Sequence, residues 1–165
     1  MIFGVDTASV AGNKNVSWTR AKAEGPIRFA ILRAAWGVSK DDFFVGQWDS
    51  LKSAGLVAGA YLFLRFPTEK DPVAPGQVEQ AQTLIDVVDG RLEPKRDLPP
   101  IDVEFPGKGR IETGLTAGQL LAGMRKAWQR LADHFGVAPI IYASGRVWRE
   151  DLSDLPAPAP VESPL

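Results

Sequence analysis

Residues 27–64 read IRFAILRAAWGVSKDDFFVGQWDSLKSAGLVAGAYLFL, and this stretch decides the fold. Its two ends, IRFAILRAA (27–35) and LVAGAYLFL (56–64), are short apolar runs of the kind that form strands buried on both faces. Between them Phe44, Trp48 and Leu51 fall on one face of a helix, and Gly55 is placed to end it. Asp41 and Asp42 supply negative charge and a cap at the start of that helix. A strand, a helix and a strand in such close succession need a crossover connection, so the two strands run parallel.

The same alternation extends outward in both directions. MIFGV (1–5), PPIDVEF (99–105) and APIIYAS (138–144) read as further buried strands. A short helix over 17–24 precedes Gly25-Pro26. A second, lined by Val78, Ala81, Leu84, Ile85 and Val88, lies between Pro75-Gly76 and Gly90. A third spans 117–135, where Thr116 and Gln119 make a T-x-x-Q capping box and Leu120, Met124, Trp128, Leu131 and Phe135 form the apolar stripe. The expected class is therefore α/β with a mostly parallel sheet. A closed eight-unit barrel takes about 250 residues. With 165 residues and five visible strands, the sequence predicts an irregular (β/α) TIM-like barrel, incomplete, with about five of its eight strands. Residues 1–150 are expected to form one catalytic domain. Residues 151–165, DLSDLPAPAPVESPL, hold four prolines and read as a Pro-rich loop or a truncated C-terminal end.

Composition removes several classes of function. Nineteen basic residues against twenty acidic ones give a net charge of -1, so nothing points to nucleic acid. There is no cysteine and a single histidine, His134, which excludes thiolate chemistry and multi-histidine metal centres. His134, near the end of the third helix, is expected to serve the helix terminus. No window approaches the roughly 18 apolar residues of a membrane span. MIFGVDTAS lacks the basic and apolar regions of a signal peptide, so the chain is expected to be synthesised in the cytoplasm.

The chemistry is concentrated at strand ends. Asp102 and Glu104 sit two positions apart in PPIDVEF and so share a face, while Ile101, Val103 and Phe105 pack the other way. Two carboxyls about 5–9 Å apart are the apparatus for cleaving a glycosidic bond: one donates a proton to the leaving oxygen, the other stays ionised beside the anomeric carbon. Asp6 ends the first strand and, in a parallel sheet, lies at the same carboxyl-terminal rim. Arg33, Trp36, Tyr61, Phe63 and Tyr142 end other strands, and aromatic walls with a few polar groups suit sugar rings. Acid catalysis by two carboxyls calls for no metal and no organic cofactor.

The succession GVDTAS, FAILRAAWG with Asp41 to Phe44 behind it, AGLVAGAYLF, PPIDVE and PIIYAS resembles glycoside hydrolase family 25, the Chalaropsis-type lysozymes or N-acetylmuramidases. The likeness runs from residue 2 to about 148, and D-x-E on the fourth long strand is its most specific mark. The family carries a histidine where Leu62 stands here, and continues past a segment like ESPL into further strands, the last with another acid. By this resemblance Glu104 is the general acid, Asp102 orients and stabilises the substrate's N-acetyl group, and Asp6 supports the pair. The implied substrate is the β-1,4 bond between N-acetylmuramic acid and N-acetylglucosamine in bacterial cell-wall peptidoglycan. The alternative is a non-catalytic glycan-binding or virion-structural domain derived from a muramidase. A completing chain or a cell-wall-binding domain is the expected protein partner. Action on the wall is expected to follow release by a holin or a secretion system.

Overall fold

The computed structural model describes residues 3–8, 15–68, 70, 72–93, 96–105 and 109–152. In chain order it contains β1 (Phe3–Thr7), α1 (Trp18–Glu24), β2 (Ile27–Trp36), β3 (Ser39–Lys40), α2 (Phe44–Ser53), β4 (Val57–Phe63), α3 (Gln77–Val88), β5 (Ile101–Val103), α4 (Ala117–Phe135) and β6 (Ile141–Ala143). A 3-10 turn over Gly109–Thr113 and a π-helical turn over Val147–Asp151 complete it. Most of the Pro-rich end, residues 153–165, lies outside the described residues.

Five strands run parallel in the order β1-β2-β4-β5-β6, and the sheet curls into a half-barrel. The two-residue β3 pairs antiparallel with the end of β2. The helices cover the convex side. There Ala30, Leu32, Ala58, Ala60, Leu62, Ile101 and Val103 are buried with Trp48, Leu51, Leu84, Val88, Leu120, Met124 and Leu131. Alanine at three of those strand positions lets the helices approach the sheet closely.

β4 is buried on both faces as the sequence predicts, with Ala58, Ala60 and Leu62 toward the helices and Gly59 and Tyr61 toward the concave side, whereas the other strands are more open on the concave side. On the concave face Phe29 and Ile31 are half-buried, while Asp6, Ile140 and Tyr142 are exposed. The helices pack against the convex side alone, and among the described residues no strand pairs with the outer edge of β1 or β6.

Two local features aim side chains into the concave side. In β2 the pairing with β4 shifts register between Arg33 and Ala35. Ala34 and Ala35 are consequently both buried, and Trp36 emerges on the concave face instead of among the helices. Gly37 then turns the chain into β3 with φ of 58°, a left-handed conformation that glycine adopts without strain.

The helix signals hold in detail. Thr116 Oγ1 accepts the Gln119 amide at 3.2 Å while Gln119 Oε1 accepts the Thr116 amide at 2.8 Å. His134 lies in the last turn of α4 with its ring edge-on to Phe135. Behind the sheet Lys52 donates to both oxygens of the fully buried Asp97 at 3.1 and 2.9 Å, and Asp97 also accepts the Glu93 amide. This network fastens the segment that leads into β5 onto α2. Among the described residues no helix is long and apolar enough to cross a membrane.

Candidate active site

Strand register builds one row of side chains across the concave face. Trp36 on β2 is the partner of Phe63 on β4, Phe63 of Asp102 on β5, and Asp102 of Tyr142 on β6. Four of the residues singled out in the sequence therefore stand side by side, although they are far apart in the chain. At one end of the row the Trp36 and Phe63 rings stack with centroids 4.0 Å apart and planes within 9° of parallel. Trp36 is 40% exposed, so this stack presents an open aromatic surface.

Asp102 occupies the middle of the row. Its Oδ1 is buried and accepts no hydrogen bond among the described residues. Burial first, and then the negative charges of Glu104 and Asp6, push this carboxyl up to about 7. Near neutral pH it therefore shares its site with a proton that an ordinary aspartate has lost. Tyr61, two residues before Phe63, is buried beside it, and burial raises its phenol well above the usual range while the Arg33 charge opposes that rise. Asp6, exposed on β1, completes the acidic set. Asp6, Tyr61, Asp102 and Tyr142 face a cavity of about 330 Å³ inside the half-barrel, with Phe29 and Ile31 on its apolar side.

Glu104 takes a different position from the one its spacing predicts. β5 ends at Val103, and Glu104 lies just beyond it, exposed, in a neighbouring groove of about 620 Å³. That groove is walled by Trp36 and Phe63 on one side and by Arg65, Phe66 and Thr68 on another. The two acids thus open onto adjoining spaces, and remain close enough for the charge on Glu104 to hold up the Asp102 carboxyl.

Arg33 is engaged within the protein. Its Nε and Nη2 donate to Asp41 Oδ2 at 3.1 and 3.0 Å, and its guanidinium lies 5.5 Å from the Trp36 ring centre. Arg33 thereby braces Trp36. Asp41, expected to cap α2, uses Oδ1 to accept the Phe43 amide in the turn that precedes the helix. Among the described residues no group of three or more histidine, cysteine or acidic side chains could hold a metal ion.

Residues 5–159 match the model of the family described as Glycosyl hydrolases family 25. The chain belongs to that family. It is 26% identical over 149 residues to Lysozyme M1 of Streptomyces globisporus, an alignment covering 89% of this chain and 48% of that protein. Solved structures share the fold. The bacterial lysozyme from Streptomyces coelicolor superposes with a TM-score of 0.75 at 24% identity, covering 91% of this chain and 66% of that one. A muramidase from Trichobolus zukalii superposes with a TM-score of 0.76 at 23% identity, covering 91% of this chain and 69% of that one. The chain thus spans about half the length of the curated relative and about two thirds of the solved chains.

Sequence reasoning missed the Ala34 bulge, the capture of Arg33 by Asp41, and the buried amide of Gln80 behind the groove. Only the second had a local signal, since Arg33 and Asp41 stand eight positions apart on either side of Gly37.

Proposed function

We propose that this chain carries the catalytic machinery of a peptidoglycan hydrolase, cleaving the β-1,4 bond between N-acetylmuramic acid and N-acetylglucosamine. The observation that carries the reading is the Asp102–Glu104 pair, one member half-buried with its Oδ1 shielded and proton-retaining, the other exposed beside a stacked aromatic surface.

A glycan strand laid along the row places one sugar face on Trp36 and Phe63, where C–H groups meet aromatic rings. The N–H of an N-acetyl group suits the buried Asp102 Oδ1, which accepts no hydrogen bond within the described protein. Such a donor stabilises ionised Asp102, and its proton moves to Glu104. Glu104 then protonates the glycosidic oxygen as the bond to the anomeric carbon breaks. The acetamido carbonyl oxygen attacks that carbon from the opposite face, and the positive charge of the resulting ring is balanced by Asp102, with Asp6 behind it. Water opens the ring, giving its proton to Glu104, and the acetamido group is restored.

The names of the relatives, lysozyme and muramidase, support this substrate. Access to the wall follows release by a holin or a secretion system in this reading. Dye release from labelled peptidoglycan tests the assignment. The native protein is expected to release dye, and Glu104→Gln to lose at least about 100-fold in rate, the scale of a missing general acid. Full release by Glu104→Gln would refute the role of Glu104.

A further inference from the structure

Beyond β4, Arg65, Phe66, Thr68 and Lys70 of the loop that leads to α3 wall the groove that holds Glu104. Both ends of that loop are tied to one side chain. Gln80, in the first turns of α3, is fully buried. Its Oε1 accepts the Arg65 amide at 2.8 Å, while Nε2 donates to the Arg65 carbonyl at 2.9 Å and to the Pro75 carbonyl at 2.7 Å. A buried primary amide is costly unless bonded, and this one is bonded entirely to the backbone of that loop. The turn that carries Trp36 meets the same place. A Cβ added at Gly37 would lie 3.1 Å from Arg65 Cδ and 3.7 Å from Gln80 Oε1. The aromatic wall and the opposite wall of the groove therefore converge on a single amide.

We infer that Gln80 is a positioning residue for glycan recognition: it fixes the Arg65 and Pro75 ends of this loop beside the Trp36–Phe63 stack and so sets how tightly the groove holds a sugar chain. It does so without facing the groove itself, and the inference rests on the glycan reading given above. Methionine matches the length and shape of glutamine but makes none of the three bonds. Glutamate keeps an acceptor for the Arg65 amide and loses the amide donors.

The test uses a soluble tetrasaccharide of alternating N-acetylglucosamine and N-acetylmuramic acid, titrated calorimetrically into native protein, Gln80→Met, Gln80→Glu and Thr116→Ala. Thr116→Ala removes a cap on α4, and so controls for loss of stability alone. Gln80→Met is expected to raise Kd at least about fivefold, since the loop must be ordered on binding. Gln80→Glu is expected to fall between Gln80→Met and the native protein, and Thr116→Ala to stay within about twofold of it. Faster hydrogen exchange at the Arg65 amide should accompany the rise in Gln80→Met. Should Gln80→Met not fold, Gln80→Glu decides. A native Kd in a folded Gln80 variant would overturn the inference, as would an equal rise in Thr116→Ala. Failure of the native protein to bind the tetrasaccharide would instead remove the glycan reading, and this inference with it.

Discussion

Replacing Asp102 with asparagine isolates the central electrostatic feature of the site. The carboxyl is pushed from 3.8 to about 7 by burial and by the charges of Glu104 and Asp6. Because the native state holds this proton more tightly than the unfolded chain, the cost of ionising Asp102 is absent below about pH 4. It grows between pH 4 and 7 and is complete above pH 7. The displacement sets a ceiling of ~4 kcal/mol on that cost. Relaxation and water penetration around the ionised group reduce it, so Asp102→Asn should gain about 1–3 kcal/mol of stability at pH 8. The same variant should differ from the native protein by less than about 0.5 kcal/mol at pH 4, where both side chains are neutral. Urea unfolding at pH 4, 5.5, 7 and 8 measures the difference directly. An Asp102→Asn difference that stays constant with pH, or that grows more destabilising toward pH 8, would refute the argument. The same proton governs catalysis in this account: hydrolysis requires one proton on the pair, so the rate should fall as pH rises through about 7.

Other perturbations probe separate parts of the structure. Lys52→Met strands the fully buried Asp97 with the Glu93 amide as its remaining partner, and should cost about 3–5 kcal/mol in urea unfolding. A loss below about 1 kcal/mol would show that the carboxylate finds water or another partner. Trp36→Ala removes half of the exposed aromatic stack and should weaken binding of the soluble tetrasaccharide about tenfold, read by calorimetry, while changing stability by less than about 1 kcal/mol. An unchanged Kd would mean that sugars do not stack there.

The strands and helices were legible because each carries its own signal. The α4 boundaries follow from Thr116 and Gln119 at one end, and the helix stops at Gly136, with φ of 65°. Gly55 and Gly90 adopt the same left-handed conformation just past α2 and α3. The acids at the ends of β1 and β5 were legible too, because parallel strands bring their carboxyl ends to one rim. What escaped the sequence depends on the register between strands. By simple alternation Trp36 belongs with Ala30 and Leu32 beneath the helices, and only the extra residue at Ala34 returns it to the concave face. Nothing in the local composition announces that bulge. β5 is likewise shorter than its apolar run. Pro99 and Pro100 have no amide hydrogens to donate to a ladder, and β5 ends before Glu104, leaving the two acids in adjoining spaces. Gln80 escaped because its partners, Arg65 and Pro75, are defined by the path of a loop.

The most direct test of the proposed activity is the identity of the sugar at each newly formed chain end. Purified peptidoglycan is digested with the protein, reduced with borohydride and hydrolysed, and the resulting sugar alcohols are separated. Cleavage by the Asp102–Glu104 pair as described predicts muramicitol, absent from a digest with Glu104→Gln. Glucosaminitol, or muramicitol produced equally by Glu104→Gln, would contradict the account.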